Sequence, residues 1–226
     1  AVHIPLQEPE QWLRRYKGKI DMESRRYFAA CTTHMDDAIG RILMALDQTG
    51  QRERTLVVFT SDNGGQKNWQ PQGKYPGQYR PCPVLADNRP LRGWKTEVYE
   101  GGVRVPTVVC WPGQLKNRTV KHPINIVDWM PTFCSLAGYT SEKDLQWDGQ
   151  DIWPLLAGTT RQAESRSFYW RTVDQTAVRE GDWKLILPVR DHSGTVELFD
   201  LASDPYEQNN LATAYPDKVA QLKKRL

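Results

Sequence analysis

Apolar and polar positions follow two different periods along this chain. Phe28, Cys31, Met35, Ile39, Ile42 and Leu46 recur at steps of three and four, which places them on one stripe of a helix. Arg25, Arg26, Asp36, Asp37, Arg41 and Asp47 fall on the other side, and Gly50 supplies a stop. A long amphipathic helix over 22–49 is predicted. It feeds TLVVFT (55–60), a run with the length and β-branched content of a strand buried on both faces. A helix leading into such a strand is half of a βαβ-type layer. A second buried strand is predicted at 107–111, closed by Pro112-Gly113, and a helix at 129–137, closed by Gly138 with Pro131 in its first turn.

The pattern changes near Ser165. SFYWR (167–171), QTAVRE (175–180), DWKLILP (182–188) and TVELFD (195–200) are short β runs separated by turn signals such as Gly181-Asp182 and Ser193-Gly194. They predict a small antiparallel sheet, followed by a last helix at 216–225. The fold class expected is therefore α/β. A mixed sheet flanked by helices occupies 1–160, and an antiparallel β subdomain with a terminal helix occupies 161–226. Between Gly65 and Leu91 runs a loop rich in proline, with Pro71, Pro76, Pro81, Pro83 and Pro90. Loops of that length inside a compact domain are often functional. Trp69, Tyr75 and Tyr79 lie among Lys67, Lys74 and Arg80 in it, a set suited to an anionic sugar but equally to surface packing.

Composition narrows the partners. The formal charge of +3 is spread along the 226 residues, so no basic patch points to nucleic acid or to a membrane surface. No stretch has the length and apolarity of a membrane-spanning helix. Cys31, Cys82, Cys110 and Cys134 are far apart and form no C-x-x-C, which argues against zinc and leaves their disulfide status open. Asn117-Arg118-Thr119 is a glycosylation sequon, meaningful only in a secreted eukaryotic chain.

The candidate chemistry lies behind the first predicted strand. Phe59-Thr60-Ser61 is followed by Asp62-Asn63-Gly64-Gly65. In open α/β sheets ligands bind beyond the carboxyl ends of strands. A carboxylate, an amide oxygen and two glycines there suit a hard divalent cation. The plain alternative is an Asp-Asn-Gly turn held by its own side-chain bonds. Downstream, Lys95 stands in PLRGWKTEVYEGGVRVP (90–106).

These segments and others resemble the formylglycine-dependent sulfatases, most of all the arylsulfatase-like branch. The blocks are AVHIPLQEP (1–9), FTSDNGG (59–65), PLRGWKTEVYEGGVRVP (90–106), NIVDWMPTFCSLAG (125–138), WDGQDIWPLLAG (147–158), GDWKLI (181–186) and ELFDLASDPYEQNNLA (197–212). They stand in the family's order with similar spacing. The resemblance implies an alkaline-phosphatase-like fold and hydrolysis of sulfate monoesters. It implies Asp62 and Asn63 as metal ligands, with calcium expected first and magnesium second. Lys95 and His3 become the sulfate-binding and catalytic residues, His3 placed to protonate the leaving oxygen. A sulfated small molecule or glycan is the expected partner, and the setting is extracytoplasmic (periplasmic, secreted or lysosomal).

The family's nucleophile, a Cys or Ser followed by x-Pro-x-Arg, lies in an N-terminal segment, as do further metal and substrate ligands. None of the blocks here contains it, so formylglycine is not encoded in this chain. Cys110-Trp111-Pro112-Gly113-Gln114 has Gln where Arg is needed and is set aside as a nucleophile. The chain reads as the C-terminal portion of a longer enzyme, with an incomplete sheet and an exposed core edge. Glu100 and Arg104 read as a scaffold pair, and His34 as structural. Two other readings share these residues: a phosphate or phosphonate monoester hydrolase of the same superfamily, and a non-catalytic sulfatase body that binds sulfated glycans.

Overall fold

The computed structural model describes residues 2–3, 5–69, 82–83, 86–141, 143–160, 166–189 and 194–226. Most of the loop aromatics and cations named above (Tyr75, Tyr79, Lys74 and Arg80) lie outside them.

The predicted long helix is α2, Glu23–Gln48, preceded by a short α1, Glu10–Leu13. Gly50 ends it with φ +66°, a left-handed turn that glycine adopts without a Cβ clash. Its apolar stripe is only partly used. Ala30 and Cys31 are buried, while Ile42 is 62% exposed.

Strand β1 (Val57–Thr60) follows, then the short β2 (Asn68–Trp69) and β3 (Cys82–Pro83), which pair with each other. Next come a single helical turn, α3 (Glu100–Val103), and strand β4 (Thr107–Cys110). β1 and β4 pair antiparallel, Phe59 opposite Val108 and Thr60 opposite Thr107. Helix α4 (Trp129–Leu136) and α5 (Trp153–Ala157) complete this part. Among the described residues every paired strand is antiparallel.

Alternation along β1 and β4 explains their two faces. Val58 and Val109 point inward onto a cluster of Trp129, Ile152 and Leu156. Phe59 and Val108 point the other way and are 42% and 60% exposed. The apolar run predicts a strand buried on both faces. Among the described residues only one face is covered.

A buried carboxylate holds the α4 layer in place. Asp128 accepts hydrogen bonds from the amides of Asn125 (2.7 Å) and Gln150 (3.1 Å). Arg166 forks onto both of its oxygens. A fully buried charge survives only when paired and hydrogen-bonded in this way.

The second part is a four-stranded antiparallel sheet, β5 (Ser167–Arg171), β6 (Gln175–Glu180), β7 (Trp183–Pro188) and β8 (Glu197–Asp200), in that order. Helix α6, Pro216–Lys223, follows. The period of two sorts its residues cleanly. Val178, Leu185 and Leu198 face α6 and pack with Leu222. Ala177, Ile186 and Phe199 face the opposite way and pack with Val98, which lies in the block carrying Lys95. The core is therefore continuous across the two parts. Lys184 shares the face of Ile186, so its ammonium is driven into that interior.

Candidate active site

The turn after β1 is built from close backbone contacts. The Gly64 amide donates to the Gly102 carbonyl (2.9 Å), and the Lys95 amide donates to the Gly65 carbonyl (3.0 Å). Asn88 ties the turn from a third side. It accepts from the Gly65 amide at 2.8 Å and donates to the carbonyls of Gly65 and Gly93 at 3.0 and 3.1 Å. A Cβ on Gly64 would lie 1.8 Å from the Gly101 carbonyl oxygen, and one on Gly102 would lie 2.2 Å from that of Glu97. Glycine is required at these points because two backbones touch.

The 62–65 turn and the Lys95 loop are thus one unit. The loop is strained beside its lysine. Thr96 has φ +77°, a conformation that a β-branched residue adopts only when its surroundings force it.

The side chains of Asp62, Asn63 and Lys95 are left out of this scaffolding. Ser61 Oγ donates to the Asn63 carbonyl (2.8 Å), but no side-chain bond from Asp62 or Asn63 closes the turn. Asp87, Asp144, Asp151 and Asp200 all accept amides two residues on in this protein. Asp62 does not, so the self-bonded Asx turn is not what it is for. Among the described residues nothing pairs with the Asp62 carboxylate or the Lys95 ammonium. Both donor atoms at 62 and 63 are oxygens, the set a hard cation takes. Two ligands are only part of the shell that such a cation takes. Among the described residues there is no cluster of three or more His, Cys, Asp or Glu able to hold a metal alone.

His3 is exposed, and the segment that follows it is anchored on α2. Glu8 lies 2.8 Å from His34 Nδ1, and Cys31 Sγ donates to the Gln7 carbonyl at 3.9 Å. Trp12 stacks on the His34 ring at 4.6 Å. His34 is structural, as expected.

Cys31, Cys110 and Cys134 are free thiols. Burial, reinforced by Glu8, pushes the Cys31 thiol up to about 11, so it stays protonated and unreactive. Cys110 pairs with Val57 at the start of β1, roughly 10 Å along the strand from its end. It is far from Asp62 and beside Arg52 instead. A shallow groove beside α4, lined by Cys134, Tyr139, Lys143 and Trp147, includes none of Asp62, Asn63 or Lys95.

Residues that support the unit come from the C-terminal sheet and have no local signal. Lys184 Nζ lies 2.9 Å from Glu100 and 2.8 Å from Glu207, all three buried. Arg104 and Arg179 approach Glu100 more distantly, at 3.9 and 4.0 Å. The expected Glu100–Arg104 pair exists, but Lys184 is the nearer partner. Arg92 donates to Glu197 (2.9 Å) and lies over the Tyr99 ring at 3.9 Å. Burial, then the Glu197 carboxylate, pushes the Tyr99 hydroxyl up to about 12, which keeps it a donor to Glu197.

With this geometry in view, the relatives are informative. The Sulfatase family profile matches residues 1–139, more than half of the chain. The chain belongs to the sulfatase family. A second profile, N-sulphoglucosamine sulphohydrolase, C-terminal, matches residues 93–226. Arylsulfatase J of Mus musculus is 31% identical over 274 positions, covering 100% of this chain and 43% of the relative. Arylsulfatase A of Homo sapiens is 29% identical, covering 90% and 43%. The crystal structure of Ps i-CgsB in complex with k-i-k-neocarrahexaose superposes with a TM-score of 0.80 at 26% identity, covering 100% of this chain and 47% of that one. This sulfatase chain thus spans less than half the length of those relatives. No helix among its described residues is long and apolar enough to cross a membrane.

A contrast between two glycines checks the packing of the site unit. Gly64→Ala is expected to lower stability by about 1–3 kcal/mol or more, since a methyl group must displace backbone. Gly40 lies in the interior of α2, with nothing within 4 Å of where a Cβ would stand. Gly40→Ala should therefore raise stability by about 0.5–1 kcal/mol. Thermal unfolding of both variants decides. Equal shifts for the two would contradict the close contact at Gly64.

Proposed function

We propose that this chain is the C-terminal half of a sulfuric ester hydrolase that acts on sulfate monoesters of carbohydrates. One observation carries the reading. The backbone around Asp62, Asn63 and Lys95 is locked into one unit, while their functional side chains are unused by the fold. In this reading Asp62 and Asn63 offer oxygens to a divalent cation, calcium first and magnesium second. When bound, that cation draws charge from the non-bridging sulfate oxygens. Lys95 holds another of those oxygens as a compact positive charge. His3 gives a proton to the leaving oxygen as the S–O bond breaks. The nucleophile and the remaining metal ligands come from a further segment of the enzyme, and formylglycine is formed there. The carbohydrate class rests on the neocarrahexaose complex of the similar structure. An extracytoplasmic setting and a division near residue 160 belong to the same proposal.

Turnover tests it. The 226-residue chain alone should not hydrolyse an aryl sulfate, because it offers no activated nucleophile. Joined to a segment carrying Cys-x-Pro-x-Arg with its cysteine converted to formylglycine, it should. Turnover by the chain alone, abolished by Cys110→Ala, would overturn the division of labour. Faster cleavage of an aryl phosphate than of the sulfate by the joined protein would move the assignment to phosphoryl transfer.

A further inference from the structure

Glu207 is a buried non-glycine residue whose backbone strain the sulfatase site does not itself explain. It is fully buried with φ +56°, a conformation that costs a non-glycine residue energy and persists only where the surroundings hold it. Its side chain and its carbonyl work in different directions. Carboxylate Oε2 accepts the Glu100 amide at 2.7 Å. Oε1 lies 2.8 Å from Lys184 Nζ, in ion-pair contact without hydrogen-bond alignment. The Glu207 carbonyl accepts from Arg92 Nη1 at 3.1 Å.

Arg92 and Glu100 bracket the loop that carries Lys95. One residue on a distant segment therefore grips that loop at both ends. The grip continues to the metal side. Directly after Glu100, the Gly101 amide donates to the Arg92 carbonyl at 2.6 Å, and the Gly102 carbonyl receives the Gly64 amide.

We propose that Glu207 is a positioning residue: it clamps the Lys95 loop and, through Glu100–Gly102, the Asp62–Gly65 turn. The proposal rests on the sulfate-ester reading for its purpose but not for its geometry. A left-handed φ selects glycine when nothing else matters. A buried glutamate there keeps a carboxylate where two peptide segments and an ammonium converge. The strained position is thus held by the contacts it makes.

Amide hydrogen exchange on the full, isotopically labelled chain tests this without any turnover. Glu207→Gly relieves the backbone and removes the carboxylate. Exchange at Gly64, Lys95 and Gly101 should accelerate by about tenfold or more, the scale of one hydrogen bond to a charged acceptor. Val178 and Leu185, on β6 and β7 of the four-stranded sheet, should change far less. Glu207→Gln keeps one acceptor oxygen and the shape, so its loop exchange should fall between the two. Loop amides that stay unchanged or slow down in Glu207→Gly would overturn the clamp, leaving only a relieved strain. Uniform acceleration across the sheet would overturn it as well, reducing Glu207 to a general stability residue. Failure of the sulfatase reading would appear in the turnover assays and leave the exchange ranking intact.

Discussion

Lys184→Met is expected to remove about 3–5 kcal/mol of stability, the cost of stranding a buried charge by deleting its partner. Lys184 is wholly buried between Glu100 and Glu207. Methionine fills the stem volume but leaves two carboxylates facing each other away from water. For a chain of this size the loss corresponds to roughly 6–20 °C in Tm. The pH dependence has a definite sign. Burial holds the Glu207 carboxyl above its ordinary value of 4.5, with Lys184 opposing that shift. Removing Lys184 raises it further. A carboxyl with a raised folded-state pKa contributes stability that is fully present below its unfolded value. That stability is lost as pH rises through the folded value. The deficit of Lys184→Met should therefore be largest near neutral pH and shrink as the pH falls toward 4.5. Urea unfolding of both proteins at several pH values measures it. A deficit under about 1 kcal/mol at neutral pH, the worth of an exposed pair, would contradict the buried cluster.

That cluster marks the limit of what the sequence makes legible. Helix α2 and strands β5 to β8 show in the pattern because periods of 3.6 and 2 are written locally. The turn after β1 is legible because an apolar run ends in Asp-Asn-Gly-Gly, a local signal. The direction of β1 against β4 is not, since either orientation gives an apolar run of the same length. Lys184 sits in GDWKLI and looks like any solvated lysine until Ile186 on the same face is seen to be buried. Its partners lie 84 positions back at Glu100 and on the segment after β8 at Glu207. Contacts of that range have no local period. Nor does Glu207 announce its positive φ, because glutamate is not a turn former. Asn88 is silent for a related reason. It lies in a proline-rich loop whose composition says only that it is irregular.

The site residues are legible only through their blocks. Asp62-Asn63 alone is as good a turn as a ligand pair. The structure adds that the turn closes without their side chains, and that the lysine downstream is bonded into the same unit.

Asp62→Ala and Lys95→Ala, made in the nucleophile-bearing enzyme, separate the two halves of the proposed site. Asp62 supplies a carboxylate to the cation, so its loss should weaken metal binding, with activity partly restored by excess calcium or magnesium. Lys95 is bonded to the turn through its backbone amide, which alanine retains. Its loss should leave metal content unchanged and lower turnover by about 100- to 1000-fold, the usual worth of one electrostatic contact to a developing charge. The decisive measurement is bound metal per protein, taken alongside aryl-sulfate turnover for both variants. Metal lost with Asp62 and kept with Lys95, and turnover depressed in both, is the expected result. Metal lost on removing Lys95, or metal and turnover both retained on removing Asp62, would contradict the half-site.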